Sequence, residues 1–182
     1  MILDASKLIN DFNSVIPFLK NGILIDTSVM YVFIDGHISA QYAKQVIPGH
    51  TALLDFFDLI KVSNKWNKFV ITPHIFTEVC NHFRKNYRKR YNYKELTEDI
   101  IPILGDMKEC GGILKSEIIE HIDKKNPVIE VGDISIYIAA DKLTEDRNKM
   151  AILANDSGYN SRYVDNLDVM VMDYNNIILN LS

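Results

Sequence analysis

The stretch that decides the reading is NGILIDTSVMYVFIDG, residues 21–36. Gly22, Ile23, Leu24 and Ile25 form a short run without polar side chains, and Asp26 stops it. Such a run suits a strand buried on both faces, as in a parallel sheet. Aspartate is depleted in strands and costly to bury. Asp26 therefore ends the strand. It either caps the next helix or is placed for chemistry. A helix is expected from Ser28 onward, with Asp35 in a loop.

The same grammar recurs along the chain. In NKFVITPHIFTEV, residues 67–79, the spacing predicts a strand over Phe69 to Ile71. Thr72 is a helix N-cap and Pro73 the first helical residue. Glu78 then falls in the second turn, and the helix is expected to run to about Tyr91. NPVIEVGD leads into a helix from Asp133. KMAILAND is a strand stopping on Asp156, LDVMVMD is a last strand, and YNNIILNL is a terminal helix.

The remaining segments read as helical. Leu3, Leu8, Ile9, Phe12, Ile16 and Leu19 recur at mostly helical spacing, giving an extra N-terminal helix over 1–21. Residues 40–62 form two helical pieces broken at Pro48-Gly49. Residues 94–124 are helical, with breaks at Pro102 and Gly111-Gly112. Strands thus alternate with helices. The expected fold class is α/β, with a central mostly parallel sheet of four to five strands flanked by helices.

The 182 residues suggest one domain. With 20 basic and 24 acidic side chains the net charge is −4, which argues against a general nucleic-acid coat but permits a local basic face. Cys80 and Cys110 do not make a disulfide framework, so a reduced compartment is expected. No signal peptide and no membrane-spanning run is legible. The expected location is cytoplasmic.

Ligands of parallel α/β sheets bind at the carboxyl ends of the strands. Asp26 and Asp156 follow strands. Glu78 and Asp133 lie early in helices, which begin at that same edge. Each aspartate also has an ordinary role, as a cap or in a turn. Together they have a further consequence. Two carboxylates about 4 Å apart repel by roughly 4 kcal/mol at an effective dielectric of 20. Four that converge need a cation or raised pKa values. Oxygen ligands of this kind suit Mg²⁺ or Mn²⁺.

At these residues the chain resembles the PIN-domain ribonuclease family, which includes VapC-type toxins of toxin–antitoxin pairs. The matching pieces are ILIDTSVMYVF, FVITPHIFTEV, GDISIYIAA and AILANDSGY, in order, over about residues 22–175. The resemblance implies a PIN-like fold and metal-dependent hydrolysis of RNA phosphodiesters. It implies Asp26, Glu78, Asp133 and Asp156 as the catalytic, metal-holding quartet. Thr27 or Ser28 and Asn155 would support them. Asp26 and Asp156 are taken as direct ligands of Mg²⁺ or Mn²⁺. Asp133 is preferred to Asp141, two turns further along its helix. An antitoxin partner and a homodimer are further implications. The N-terminal helix and the long 83–127 segment depart from a compact toxin.

RNA must approach an acidic protein. Residues 79–94 carry Arg84, Lys85, Arg88, Lys89, Arg90 and Lys94, and no acid. Phe83, Tyr87, Tyr91 and Tyr93 interleave with them. Basic side chains neutralise phosphates, and aromatics stack on unpaired bases. The segment is therefore a candidate RNA-binding wall beside the acids, or else a solvated helix face with core aromatics.

His74, Glu78 and His82 share one helix face. However, i to i+8 spans about 12 Å, too far for two ligands of one zinc ion. No P-loop or dinucleotide fingerprint is present. Two alternatives remain open: a non-catalytic RNA- or protein-binding module, and an RNA-processing nuclease that is not a toxin.

Overall fold

The computed structural model describes residues 2–3, 12–90, 92–125, 131–145, 148–155 and 168–181. Its centre is a parallel sheet. The strands are β1 (Ile2–Leu3), β2 (Ile23–Ile25), β3 (Phe69–Ile71), β4 (Lys108–Glu109), β5 (Met150–Ala154) and β6 (Val169–Asp173). Their order is β1-β6-β5-β2-β3-β4, and every pairing is parallel. Every residue of β2, β3, β5 and β6 is buried. That is why their sequences are nearly continuous apolar runs rather than alternating ones.

The helices are α1 (Phe12–Leu19), α2 (Thr27–Ile38), α3 (Pro48–Leu59), α4 (Pro73–Tyr87), α5 (Tyr93–Asp106), α6 (Lys115–Lys125), α7 (Val131–Thr144) and α8 (Tyr174–Leu181). Local chemistry sets several of their starts. Asp26 caps α2, its side chain accepting from the Thr27 amide. Thr72 caps α4 by accepting from the Ile75 amide, with Pro73 at the first position. Pro48 opens α3. In each case a residue with no free N–H, or a short oxygen-bearing side chain, relieves the unpaired amides of a helix N-terminus.

The strand order reverses at the centre. From β2 the chain moves outward to β3 and β4, then returns to β5 on the other side of β2 and continues to β6. The switch point lies between β2 and β5, held in register by Ile23↔Ala151, Leu24↔Ile152 and Ile25↔Leu153. Connections leaving the two strands diverge there and open a crevice at their carboxyl ends.

Several expectations change. The first 21 residues are not one helix, because Ile2 and Leu3 pair with Val171 and Met172 as an edge strand. Lys108 and Glu109 form the other edge against Val70 and Ile71, inside a segment expected to be helical. Both edges are two residues long, too short for local periodicity to reveal. Among the described residues the sheet thus has six strands, the expected central parallel strands with a short strand added at each edge. Residues 83–127 contribute β4 as well as helices. Asp35 is in α2, not a loop, and α4 ends at Tyr87 rather than Tyr91, which lies outside the described residues. Among the described residues no helix is long and apolar enough to cross a membrane.

Candidate metal centre

Asp26 sits at the carboxyl end of β2, at the switch point. Its amide donates to the Leu153 carbonyl of β5 at 2.9 Å, so the sheet ladder itself fixes its position. The residue is only 6% exposed. Oδ1 accepts from the Thr27 amide at 2.6 Å, and Oδ2 accepts from the Ser28 hydroxyl. Burial raises its pKa above the usual carboxylate value. The Ser28 hydrogen bond opposes that rise, and the negative charge of Asp133 adds to it.

Glu78 joins this cluster through Thr27, whose Oγ1 donates to Glu78 Oε2 at 2.7 Å. One residue therefore links both carboxylates, with its amide to Asp26 and its hydroxyl to Glu78. The third acid arrives with α7. Gly132 packs so tightly on Glu78 that a Cβ there would lie 3.0 Å from both carboxylate oxygens. Asp133 is the next residue, in the first turn of α7. Its field is felt at Asp26. Asp141 is exposed, two turns further along. The structure thus links Asp26 to Glu78 through Thr27 and places Asp133 where its charge acts on Asp26, with both the Thr27 and Ser28 hydroxyls on carboxylates.

Asp156 lies outside the described residues. Its neighbour Asn155 is described, just past the end of β5. Asn155 Oδ1 is buried and has no hydrogen-bond partner among the described residues. A further strand-end acid was not singled out from the sequence. Asp173 closes β6 and is 5% exposed. Its oxygens accept from the Asn175 amide at 2.9 Å and the Asn176 side chain at 3.0 Å, so it serves as the cap of α8.

A hard divalent cation takes carboxylate and amide oxygens, and usually keeps water in the rest of its shell. The donor chemistry suits such an ion: carboxylates, one of them buried with raised proton affinity, and a buried amide oxygen past the end of the neighbouring strand. Among the described residues no group of three or more His, Cys, Asp or Glu side chains is placed to hold a metal ion. The fit is thus one of donor chemistry alone.

The basic run is placed differently from the expectation. α4 begins at the carboxyl edge and runs back across the sheet. Arg84 lies about 9 Å and Arg88 about 15 Å along the axis from Glu78. Arg84, Lys85, Arg88, Lys89 and Arg90 are all exposed. Arg84 and Lys85 occupy the last turn, where the helix dipole favours cations. The run is therefore at the far end of α4 from the acids, not a wall rising from their pocket. Phe83 and Tyr87 are buried in the core, and Tyr93 packs on Phe83 with ring centroids 5.4 Å apart. Their i, i+4 spacing puts them on the apolar face, so these rings are core groups rather than platforms for bases.

Two residues outside the sequence-predicted set complete the surroundings. Thr72 and Ser135 are both fully buried, with hydroxyl oxygens 2.8 Å apart. They connect the start of α4 to the start of α7. Thr72 was legible as a cap; nothing in the sequence pairs it with Ser135.

The fold and site define an α/β protein with an all-parallel described sheet and carboxylates gathered at its topological switch point. No family model matches the chain, and no curated protein matches it. Among solved structures, that of PAE2754 from Pyrobaculum aerophilum aligns over 88% of this chain and 96% of its own, at 14% identity and a TM-score of 0.48. A likeness at that level assigns neither family nor activity.

Proposed function

We propose that this chain is a metal-dependent endoribonuclease of PIN type, hydrolysing RNA phosphodiester bonds at the carboxyl edge of β2. The observation that supports it most is the environment of Asp26. A buried carboxylate at the switch point is tied through Thr27 to Glu78 and feels the charge of Asp133. Uncompensated acids at a ligand-binding edge cost stability. Their gathering is accounted for by a cation.

Asp26, Glu78 and Asp133, with Asp156 and the Asn155 amide, would hold Mg²⁺ or Mn²⁺. Such an ion would lower the pKa of bound water and offset charge on the attacked phosphate. The protein's own groups divide the remaining work. The Thr27 and Ser28 hydroxyls orient the two carboxylates and keep their oxygens turned to the crevice. A carboxylate not engaged with the cation accepts the proton of the attacking water. The exposed Arg84–Arg90 run supplies a distant contact for the RNA backbone. A strand long enough to reach both regions is the expected substrate, rather than a dinucleotide.

The test is cleavage of single-stranded RNA with Mn²⁺ by pure wild-type and Asp26→Asn protein. Cleavage should fall more than about a hundredfold, since groups merely surrounding a metal already cost about ten- to a hundredfold. Wild-type rates from the pure variant would overturn the reading. RNA binding without cleavage by the wild type would favour the non-catalytic module. A toxin of a type II pair, with its antitoxin, predicts growth arrest on expression that Asp26→Asn relieves. A processing nuclease predicts cleavage without arrest.

A further inference from the structure

Thr72 and Ser135 are each 0% exposed, and their hydrogen bonds leave only one arrangement of protons. Ser135 Oγ donates to the Gly132 carbonyl at 2.7 Å. A serine hydroxyl has a single proton, so Ser135 cannot also donate to Thr72. Thr72 Oγ1, 2.8 Å away, must therefore donate to Ser135. Thr72 in turn accepts from the Ile75 amide at 3.2 Å. The relay runs one way, from the Ile75 amide through Thr72 and Ser135 to the Gly132 carbonyl.

The two ends of this relay are the backbone segments that carry the acids. Thr72 and Ile75 form the first turn of α4, which carries Glu78. Gly132 and Ser135 flank Asp133 in α7. Between them a Cβ on Gly132 would lie 3.0 Å from both Glu78 carboxylate oxygens, tighter than side chains ordinarily pack. The start of α7, which carries Asp133, is thus seated on the Glu78 carboxylate beside a buried, directional polar link.

We propose that Thr72 and Ser135 are positioning residues: their relay holds the first turn of α7, which carries Asp133, against the Glu78 carboxylate and thereby sets the affinity of the acidic site for a divalent cation. The inference rests on the metal-site reading above. Simple packing of α4 on α7 would require only shape, and threonine-to-valine with serine-to-alanine preserves shape. Positioning requires the hydroxyls themselves.

Calorimetric titration with Mn²⁺ alone, beside thermal melting of the metal-free proteins, separates these roles. Ser135→Ala and Thr72→Val should each weaken Mn²⁺ binding about tenfold or more, the usual cost of losing an outer group that orients ligands. Thr72→Ser keeps the oxygen and should bind close to the wild type. The Thr72→Val/Ser135→Ala double variant should lose no more than the worse single one, because one relay is broken once. Ser135→Ala binding Mn²⁺ as the wild type does, at any melting temperature, overturns the proposal. If Thr72→Val does not fold, Ser135→Ala and Thr72→Ser decide it. Asp26→Asn distinguishes the two levels. Its loss of binding with Ser135→Ala unaffected removes only the relay. Unchanged binding by Asp26→Asn removes the metal site and the relay's role with it.

Discussion

Helices α2 and α4 lie side by side, and their two ends handle carboxylates in opposite ways. At the carboxyl edge Asp26 and Glu78 share a threonine and face a third acid. About nine residues further on, Asp35 meets partners that suit it. His82 Nε2 lies 2.9 Å from its Oδ1, and the Tyr87 hydroxyl donates to it at 2.6 Å. His82 also stacks on Tyr31, with centroids 3.8 Å apart. Asn86 Nδ2 lies 3.2 Å from His82 Nδ1 and 3.1 Å from Nε2. The basic run lies at this same end of α4. Asp35 thus has the surroundings of a carboxylate used to join two helices. Asp26 caps its helix and beyond that meets another carboxylate's charge.

The largest expected effect would break this contrast outright. Asp26→Asn should abolish metal-dependent cleavage while leaving the fold intact, because asparagine caps helices about as well as aspartate. Mn²⁺ should raise the melting temperature of the wild type and not of this variant. At a free concentration of 100 times the dissociation constant the gain would be about 2.7 kcal/mol.

Asp35→Ala gives the converse result. Cleavage chemistry should survive, but stability should fall by about 1–2 kcal/mol, as the buried Tyr87 hydroxyl and His82 lose their acceptor. Urea denaturation reads this directly. Burial, with help from the Asp35 carboxylate, holds the Tyr87 phenol above its usual pKa of 10.0. The tyrosine should therefore titrate nearer its ordinary value in the variant.

A third experiment uses pH. The folded-state pKa of Asp26 is raised from the ordinary 3.8. Between 3.8 and the raised value the folded chain binds more protons than the unfolded chain, so stability falls as pH rises through that window. Asp26→Asn removes this loss. In EDTA its melting temperature should approach that of the wild type below pH 3.8 and exceed it increasingly above. A constant difference across that range would contradict the burial and charge effects at Asp26.

The smallest effect concerns the far end of α4. Reversing charge at Arg88 and Arg90 should weaken RNA binding by a few fold and lower its salt dependence, with cleavage of bound RNA unchanged. Equal affinity and equal salt slope would remove the basic run from the interface.

Much of this was legible before any coordinates. Four of the six strands are the buried apolar runs that the sequence displays, and Thr72-Pro73 marks a helix start by local chemistry alone. The two edge strands were not legible. Ile2–Leu3 and Lys108–Glu109 become strands only because β6 and β3 offer them unpaired backbone. The position of the basic run also had to come from the fold. The sequence makes it contiguous with Glu78, but a helix that recrosses the sheet carries it to the other end.

The sequence by itself determined which residues end strands and begin helices, because caps and breaks act over a few residues. It also determined that carboxylates recur at those points. Only the tertiary structure decided what company each acid keeps: Asp26, a cap, is linked through Thr27 to Glu78 and feels the charge of Asp133, Asp173 is a cap alone, and Asp35 pairs with His82 and Tyr87. Tertiary structure likewise joined Thr72 to Ser135 across 63 positions. The physical reason is range. A cap is satisfied by the next turn of its own helix, whereas partners for a buried charge or hydroxyl come from whatever the sheet order places beside it.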